Sequence, residues 1–394
     1  MKLALVILHA DPARGGAEHY TIDLAAALVA RGHEVSLLAT SFANVPPGVK
    51  SIPLNASGWS RKASYLHALD ALDSHLDRTR YDIIHAMLPV HRCDLYHPHA
   101  GLATAAILEK PFTTLFNPRR AAMAKIERHL LYAPHPPRVL CLSEYIKRAV
   151  KKHYPLNDAH LPILFNAVDI KRFAPRPKEP KSDRSIALMI AHDFERKGLK
   201  EAIAAMAKVD SKLTLRVVGK QPTAAYERLA NRLGVRDRID FAGPTSDPVS
   251  EYAKADFFVL PTKHDPCSLV VLEALAMGLP VISTHFNGAC EIMTEGMHGF
   301  ILGDPSDVTA LTQAMQKMLD SELRKRMSAA CIDLRPKLSY EHHLDRLTQI
   351  YGQSAVQSRA PKPSTPSPST LGEGRGEGSS ATTNGSAVVK EPPP

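Results

Sequence analysis

Asp265 and Glu273 stand with seven residues between them in the run HDPCSLVVLEALAMGLPVIST, and this spacing is the strongest chemical signal in the chain. The apolar segment Phe257 to Leu260 has the length of a buried strand, and Ser268 to Met277 has the pattern of a helix. Gly278-Leu279-Pro280 breaks that helix before a second apolar segment, Val281 to Ser283. The run therefore predicts a βαβ unit. It puts Asp265 in the loop after the first strand and Glu273 two turns into the helix, so both carboxylates can face the open end of a parallel sheet, where ligands of such sheets bind. Between them the helix begins at Ser268 and Leu269, and its free N–H groups suit a phosphate. Two acceptors for sugar hydroxyls beside a phosphate cradle predict a nucleotide-sugar site. A solvent-facing Asp and a helix-surface Glu would give the same spacing without that chemistry.

The segment resembles the Glu-x7-Glu signature of the retaining glycosyltransferases of family 4, whose members place two Rossmann-like domains across a cleft in the GT-B arrangement. The resemblance implies that Asp265 lies by the donor sugar and that Glu273 binds the ribose of the nucleotide. Asp265 is one methylene shorter than the Glu usual at its position, whereas Glu273 matches. Gly15-Gly16-Ala17-Glu18 is similar to the family's Gly-Gly-x-Glu loop, which faces the donor phosphates and the acceptor. Asp193-Phe194-Glu195-Arg196-Lys197-Gly198 is similar to its Arg-x5-Lys-Gly stretch, whose cations neutralise the departing diphosphate. Lys197 takes the lysine's place there, and Ala191 stands where the family has arginine. Arg196 is the implied replacement, as in a similar run of the lipopolysaccharide-core glucosyltransferases. The stretches Asn166 to Phe173, Asn287 to Glu291 and the Gly-x-x-Gly turn Gly296 to Phe300 resemble further family segments, in order, over residues 1 to 351.

The residues also speak for themselves. Gly15 and Gly16 open a helix after the first strand, where a backbone without side chains can approach an anion closely. The loop lacks the spaced GxGxxG pattern and no acidic residue closes the second strand, which argues against a nicotinamide cofactor. His97 and His99 would share one face of an extended segment, with His85 and His91 nearby, so a metal reading is open; ordered spacing with a carboxylate or Cys ligand is missing. The family's cleft-facing histidine implies that His99 faces the acceptor, with His97 as its substitute. Imidazole titrates near neutrality and can accept or share an acceptor proton. Arg196 and Lys197 at a helix start can stabilise a leaving nucleoside diphosphate without a metal. No metal site and no bound cofactor are expected; the nucleotide-sugar is a substrate.

These groups need a scaffold, and the apolar segments supply one. Leu3 to Leu8, Val35 to Ala39, Ile83 to Met87 and Val139 to Ser143 read as strands, with a helix from Ala17 to Ala30. A second series runs through Ile186 to Ala191, Leu213 to Val218, Ile239 to Phe241, Phe257 to Leu260 and Val281 to Ser283. Alternation of this kind predicts an α/β protein with two Rossmann-like domains. The expected division is an acceptor domain over 1–170, a linker over 171–184, a nucleotide-sugar domain over 185–337, a terminal helix over 338–353 and a disordered tail over 354–394. The resemblance implies that the terminal helix crosses back to the first domain.

The 394 residues suffice for two domains, and a hydrophobic content of 44% fills two cores. No apolar run approaches the ~18 residues of a membrane span, and Leu3 to Leu8 is too short for a signal peptide, so the chain is expected to stay in the cytoplasm. Five scattered cysteines without a CxxC pair fit a reducing compartment. Much of the +9 net charge gathers between Lys110 and Lys152, where ten basic residues face only Glu127 and Glu144. That excess predicts an anionic partner, either membrane lipid or a phosphorylated acceptor, and peripheral contact with the inner face of an anionic membrane. With 6% aromatic residues and no stacking motif, nucleic acid is not expected. The predicted activity is transfer of a sugar from a nucleotide-diphosphate donor, UDP-linked, to a glycan or glycolipid such as lipopolysaccharide core, with retention. A UDP-sugar epimerase and a non-catalytic nucleotide-sugar-binding protein are the competing readings.

Overall fold

A computed structural model describes residues 1–99, 101–105, 117–176 and 184–359, with side chains described to Ser354. Ala100, Lys110, half of the expected linker (177–183) and the tail from residue 360 lie outside the described residues. Strands β1 (Lys2–Val6), β2 (His9–Ala10), β3 (Glu34–Ala39), β4 (Ser41–Phe42), β5 (Lys50–Pro53), β6 (Ile83–Ala86), β7 (Leu95–Tyr96) and β8 (Arg138–Val139) occupy the N-terminal half. Six of them form one sheet in the order β5-β3-β1-β6-β7-β8, every pair parallel. The second half carries β9 (Ser185–Ile190), β10 (Leu213–Val218), β11 (Ile239–Gly243), β12 (Phe257–Val259), β13 (Val281–Thr284) and β14 (Gly299–Leu302). They pair in the order β11-β10-β9-β12-β13-β14, again all parallel. Parallel sheets are covered on both faces, which is why the central strands are apolar runs: Leu3 to Leu5 and Phe257 to Val259 are fully buried. The fold is the α/β pair of Rossmann-like sheets expected from the sequence.

Several boundaries differ from the sequence reading. The segment Leu3 to Leu8 is not one strand, because the chain leaves the sheet after Val6 and pairs His9 and Ala10 with Ser41 and Phe42 instead. Val139 to Ser143 is a strand only to Val139; Ser143 accepts from the Ile146 amide and caps the helix Glu144–His153. Gly296 turns at φ 74°, but Gly299 opens β14 rather than closing the turn. β5 is an exposed edge strand without an apolar pattern, and so it left no signal.

The terminal helix spans Tyr340–Arg359, which carries it past the expected end at 353. Its Leu344, Leu347, Ile350 and Tyr351 are buried in the core around β1 and β3. Two strands of chain link the halves side by side. The Val168 amide donates to the Leu338 carbonyl at 2.8 Å, and Arg335 donates to the Phe173 carbonyl at 2.7 Å and the Ile170 carbonyl at 2.5 Å. All five cysteines are free thiols. No helix among the described residues is long and apolar enough to cross a membrane.

Candidate active site

Both sheets end their strands in loops along one edge, and the candidate residues sit in those loops. In the second sheet β9 lies next to β12 and β12 next to β13, so the loops after them are neighbours. The first loop turns at Gly198, whose φ of 80° is left-handed and where a Cβ would lie 2.2 Å from the Pro261 carbonyl oxygen. Glycine is required there on both counts. The turn presents Lys197 to Asp265 of the second loop, and their ammonium and carboxylate form a direct ion pair. Each is only 8% exposed, so the pair is interior rather than a surface contact. Burial pushes the Lys197 ammonium below its ordinary range, and the Asp265 charge opposes that shift.

Arg196 is held differently. Its Nε donates to Asp193 at 3.2 Å and its Nη1 to the His264 carbonyl at 2.6 Å, which aims a half-exposed guanidinium along the loop edge. The third loop supplies Asn287, whose Oδ1 accepts from the Ser268 amide at 3.2 Å and the Ala289 amide at 3.1 Å. The Asp265 amide donates to the Phe286 carbonyl at 2.8 Å, and the Gly288 amide donates to the Asp265 carbonyl at 3.0 Å. These bonds fix the Asp265 loop. The helix Leu269–Ala276 starts beside it, and Ser268 makes no side-chain cap, which leaves its first turn without a capping oxygen. Glu273 lies one turn further on, where Tyr252 Oη donates to its carboxylate at 2.7 Å. Burial raises the Glu273 carboxyl above the usual range, and the Tyr252 bond works against that rise.

From the N-terminal half two loops meet this edge. A Cβ on Gly16 would lie 3.4 Å from the Leu269 side chain, so the Gly15-Gly16 loop abuts the start of that helix. Gly101, at φ 88°, approaches His264 and Pro266 in the same way and brings the His97 to His99 segment with it. His99 is buried, its Nε2 has no hydrogen-bond partner among the described residues, and the Asp265 charge reaches it. Burial holds its pKa down to about 4, so the ring is neutral at neutral pH and its Nε2 can accept a hydrogen bond while resisting protonation. His97 lies behind it, ring centroids 5.1 Å apart, with its Nδ1 3.2 Å from His85 Nε2. Tyr20 packs against both rings and donates to His343 Nε2 at 2.8 Å; that direction follows because His343 Nδ1 must donate to the Phe165 carbonyl. Among the described residues no three His, Cys, Asp or Glu side chains are grouped to hold a metal ion.

Polar contacts close the seam between the halves. Ser143 Oγ donates to the Pro266 carbonyl at 2.8 Å, Asn166 donates to the Cys267 carbonyl at 2.9 Å, and Glu291 accepts from the Glu144 and Tyr145 amides at 2.6 and 2.7 Å. The structure thus brings Lys197, Asp265 and His99 to one place, with Gly16, Ser268 and Leu269 alongside and Glu273 one turn down the helix. The partners Tyr252, Tyr20 and Asn287 were not assigned from the sequence. Tyr252 lies 21 residues from Glu273 on another helix, a distance at which sequence carries no signal of contact.

Two parallel-sheet halves that share a seam lined by cations, a carboxylate pair and an uncapped helix start define a GT-B-type transferase architecture. Residues 14–172 match the family described as Glycosyltransferase Family 4, and residues 171–332 match the Glycosyl transferases group 1 family. The chain belongs to these glycosyltransferases. It is 24% identical to the lipopolysaccharide glucosyltransferase WaaG of Escherichia coli K12 over 77% of this chain and 86% of that protein. It is 30% identical to the lipopolysaccharide core biosynthesis glycosyltransferase LpsE of Rhizobium meliloti over 37% of this chain and 43% of that one. The crystal structure of WaaG superposes with a TM-score of 0.75 at 21% identity, covering 89% of this chain and 99% of its own. That of HepE from Anabaena, in complex with UDP and glucose, superposes with a TM-score of 0.67 at 17% identity, covering 90% and 99%.

Proposed function

We propose that the protein transfers a sugar from a UDP-sugar to a glycolipid acceptor of the lipopolysaccharide-core type, with retention and without a metal ion. The observation that carries this reading is the convergence of Lys197, Asp265 and His99 beside the uncapped start of the helix Leu269–Ala276. The lipopolysaccharide glycosyltransferases WaaG and LpsE suggest the acceptor class, and the HepE complex with UDP and glucose suggests the donor.

In this reading the diphosphate lies against the helix start, where N–H groups, Lys197 and Arg196 offset the charge that builds as it leaves. Glu273 accepts from the ribose hydroxyls, and Asp265 orients the sugar. The bond from the anomeric carbon to the phosphate oxygen breaks, the acceptor oxygen bonds the same face, and the acceptor proton ends on the released diphosphate. His99 Nε2 accepts from the acceptor hydroxyl and holds it against that face. Incubation with labelled UDP-sugars and a bacterial membrane extract tests the reading. Label is expected in glycolipid; label that remains in UDP-sugar, as an isomer or merely bound, sinks it.

The site also fits a protein that works against the cytoplasmic face of a membrane. Glu127, which the sequence places among the patch charges, is fully buried and accepts from Tyr96, Tyr154 and the amides of Ala103 and Thr104. Its removal leaves the surface more basic. Asp158 in turn neutralises Lys147 and Lys151, each at 3.0 Å. Arg120, Lys125, Arg128 and Lys152 remain for anionic lipid, each contributing roughly 1 kcal/mol. Sedimentation with anionic vesicles should exceed that with neutral ones and fall at high salt; equal partitioning would reduce the patch to a solvated face.

A further inference from the structure

Three arginines gather at the cleft edge of the first sheet, and no ion pair with a carboxylate is seen for any of them among the described residues. Arg14 lies in the loop after β2, just before the helix Gly16–Ala30. Arg61 is the first residue of the helix Arg61–Arg78, reached from the end of β5. Arg119 is the second residue of the helix Pro118–Leu131, which follows β7. Because all strands of this sheet are parallel, the chain leaves β1, β5 and β7 on the same side, towards Arg14, Arg61 and Arg119 respectively. The side chains are close enough to repel one another: after burial, Arg61 and Arg14 depress Arg119, and Arg14, Arg119 and Arg61 depress His9. Asp11 acts on His9 and Glu18 on Arg119 by charge alone, with no ion pair to any of the three arginines seen among the described residues. Arg119 Nε is buried, yet it has no hydrogen-bond partner among the described residues.

A folded chain does not assemble like charges around a buried, unbonded donor without a counter-ion to meet them. We propose that Arg14, Arg61 and Arg119 form a clamp for a phosphate monoester carried by the acceptor glycan. Guanidinium forks match phosphate oxygens in pairs, and a monoester near neutral pH carries nearly two negative charges, which a single carboxylate cannot supply to three cations. Arg14 adjoins Gly15 and Gly16, and Gly16 abuts Leu269, so the clamp borders the donor side of the cleft while remaining separate from Arg196 and Lys197. The proposal deepens the transferase reading and rests on it for the word acceptor.

The test is calorimetric titration of glucose 6-phosphate, glucuronate and glucose into the full chain, with and without saturating UDP. UDP fills the diphosphate cradle, and its own isotherm checks the donor reading separately. Glucose 6-phosphate should bind in the presence of UDP at least about tenfold more tightly than either other sugar. Arg119→Gln should weaken it by about tenfold, and the exposed-site variant Arg61→Gln, which carries little folding risk, should do the same; UDP binding should not change. Equal affinity for glucose, equal affinity for glucuronate, or full binding in both variants overturns the clamp. Loss in Lys197→Ala alone moves the phosphate to the donor cradle. Binding to phosphatidic acid vesicles that glucose 6-phosphate fails to displace would assign the clamp to a lipid headgroup instead of a glycan.

Discussion

In the half built on β9 to β14 the candidate side chains arrive already partnered: Lys197 with Asp265, Arg196 with Asp193 and the His264 carbonyl, Glu273 with Tyr252. In the half built on β1 to β8 the candidate groups carry open valences, at His97 Nε2, His99 Nε2 and Arg119 Nε. On the proposed function, a donor entering the first of these must exchange with internal partners that have set its geometry in advance, and an acceptor entering the second completes bonds that the protein leaves unmade. Preorganisation and vacancy are divided between the two sheets, and each can be broken on its own.

Acid should expose the vacant side first and most strongly. Burial holds His85 to about 3, and His99 and His343 to about 4, against 6.5 when unfolded. Between those limits the unfolded chain binds protons that the folded chain refuses, so stability is full above pH 6.5 and falls as pH drops towards 4. With three such rings the slope approaches roughly 4 kcal/mol per pH unit near pH 5. Urea unfolding at pH 7, 6 and 5 measures it, and His343→Gln should shed one proton from the slope. A flat profile would mean that the rings are not buried as neutral species.

The partnered side breaks by substitution. Asp265→Asn strands the buried Lys197 ammonium and should cost about 3–5 kcal/mol in urea unfolding. The double variant Lys197→Met with Asp265→Leu should recover most of that stability and still transfer no sugar. Recovery of transfer along with stability would make the pair a packing feature only. Smaller again, Glu273→Gln should weaken UDP binding by about 1–3 kcal/mol in calorimetry. The smallest effect belongs to the seam: the two Glu291 oxygens each accept from one amide, of Glu144 and of Tyr145, so Glu291→Gln leaves a single acceptor and removes the charge at a helix start, together worth about 0.5–1.5 kcal/mol. A loss of several kcal/mol there would show that the seam, rather than either half, sets the stability.

What could be read from sequence follows the same division. Asp265, Ser268, Leu269 and Glu273 belong to one βαβ unit, so helical and strand periods alone place them on one edge. The contact of Lys197 with Asp265 spans 68 residues and exists because β9 is inserted beside β12, a strand order that local patterns do not encode. His97 and His99 were legible as a pair, but His85 beneath them and His343 from the terminal helix join only through tertiary packing. Arg14 sits just before one helix and Arg61 and Arg119 in the first turns of two others, and only the common direction of the strands collects them. Glu127 was misplaced for a related reason: a helical carboxylate in a basic stretch reads as surface until its four donors are seen.

The terminal helix has a consequence for biosynthesis. Leu344, Leu347, Ile350 and Tyr351 complete the interior around β1 and β3, so the segment made first stays unfinished until residue 351 has left the ribosome. In the interval the nascent N-terminal sheet presents an apolar trough and leaves His85 without the hydroxyl of Tyr351, while β9 to β14 can already close on themselves. Vectorial synthesis therefore reverses the expected order: the half translated second is the first able to mature, and the half translated first keeps its apolar trough open longest.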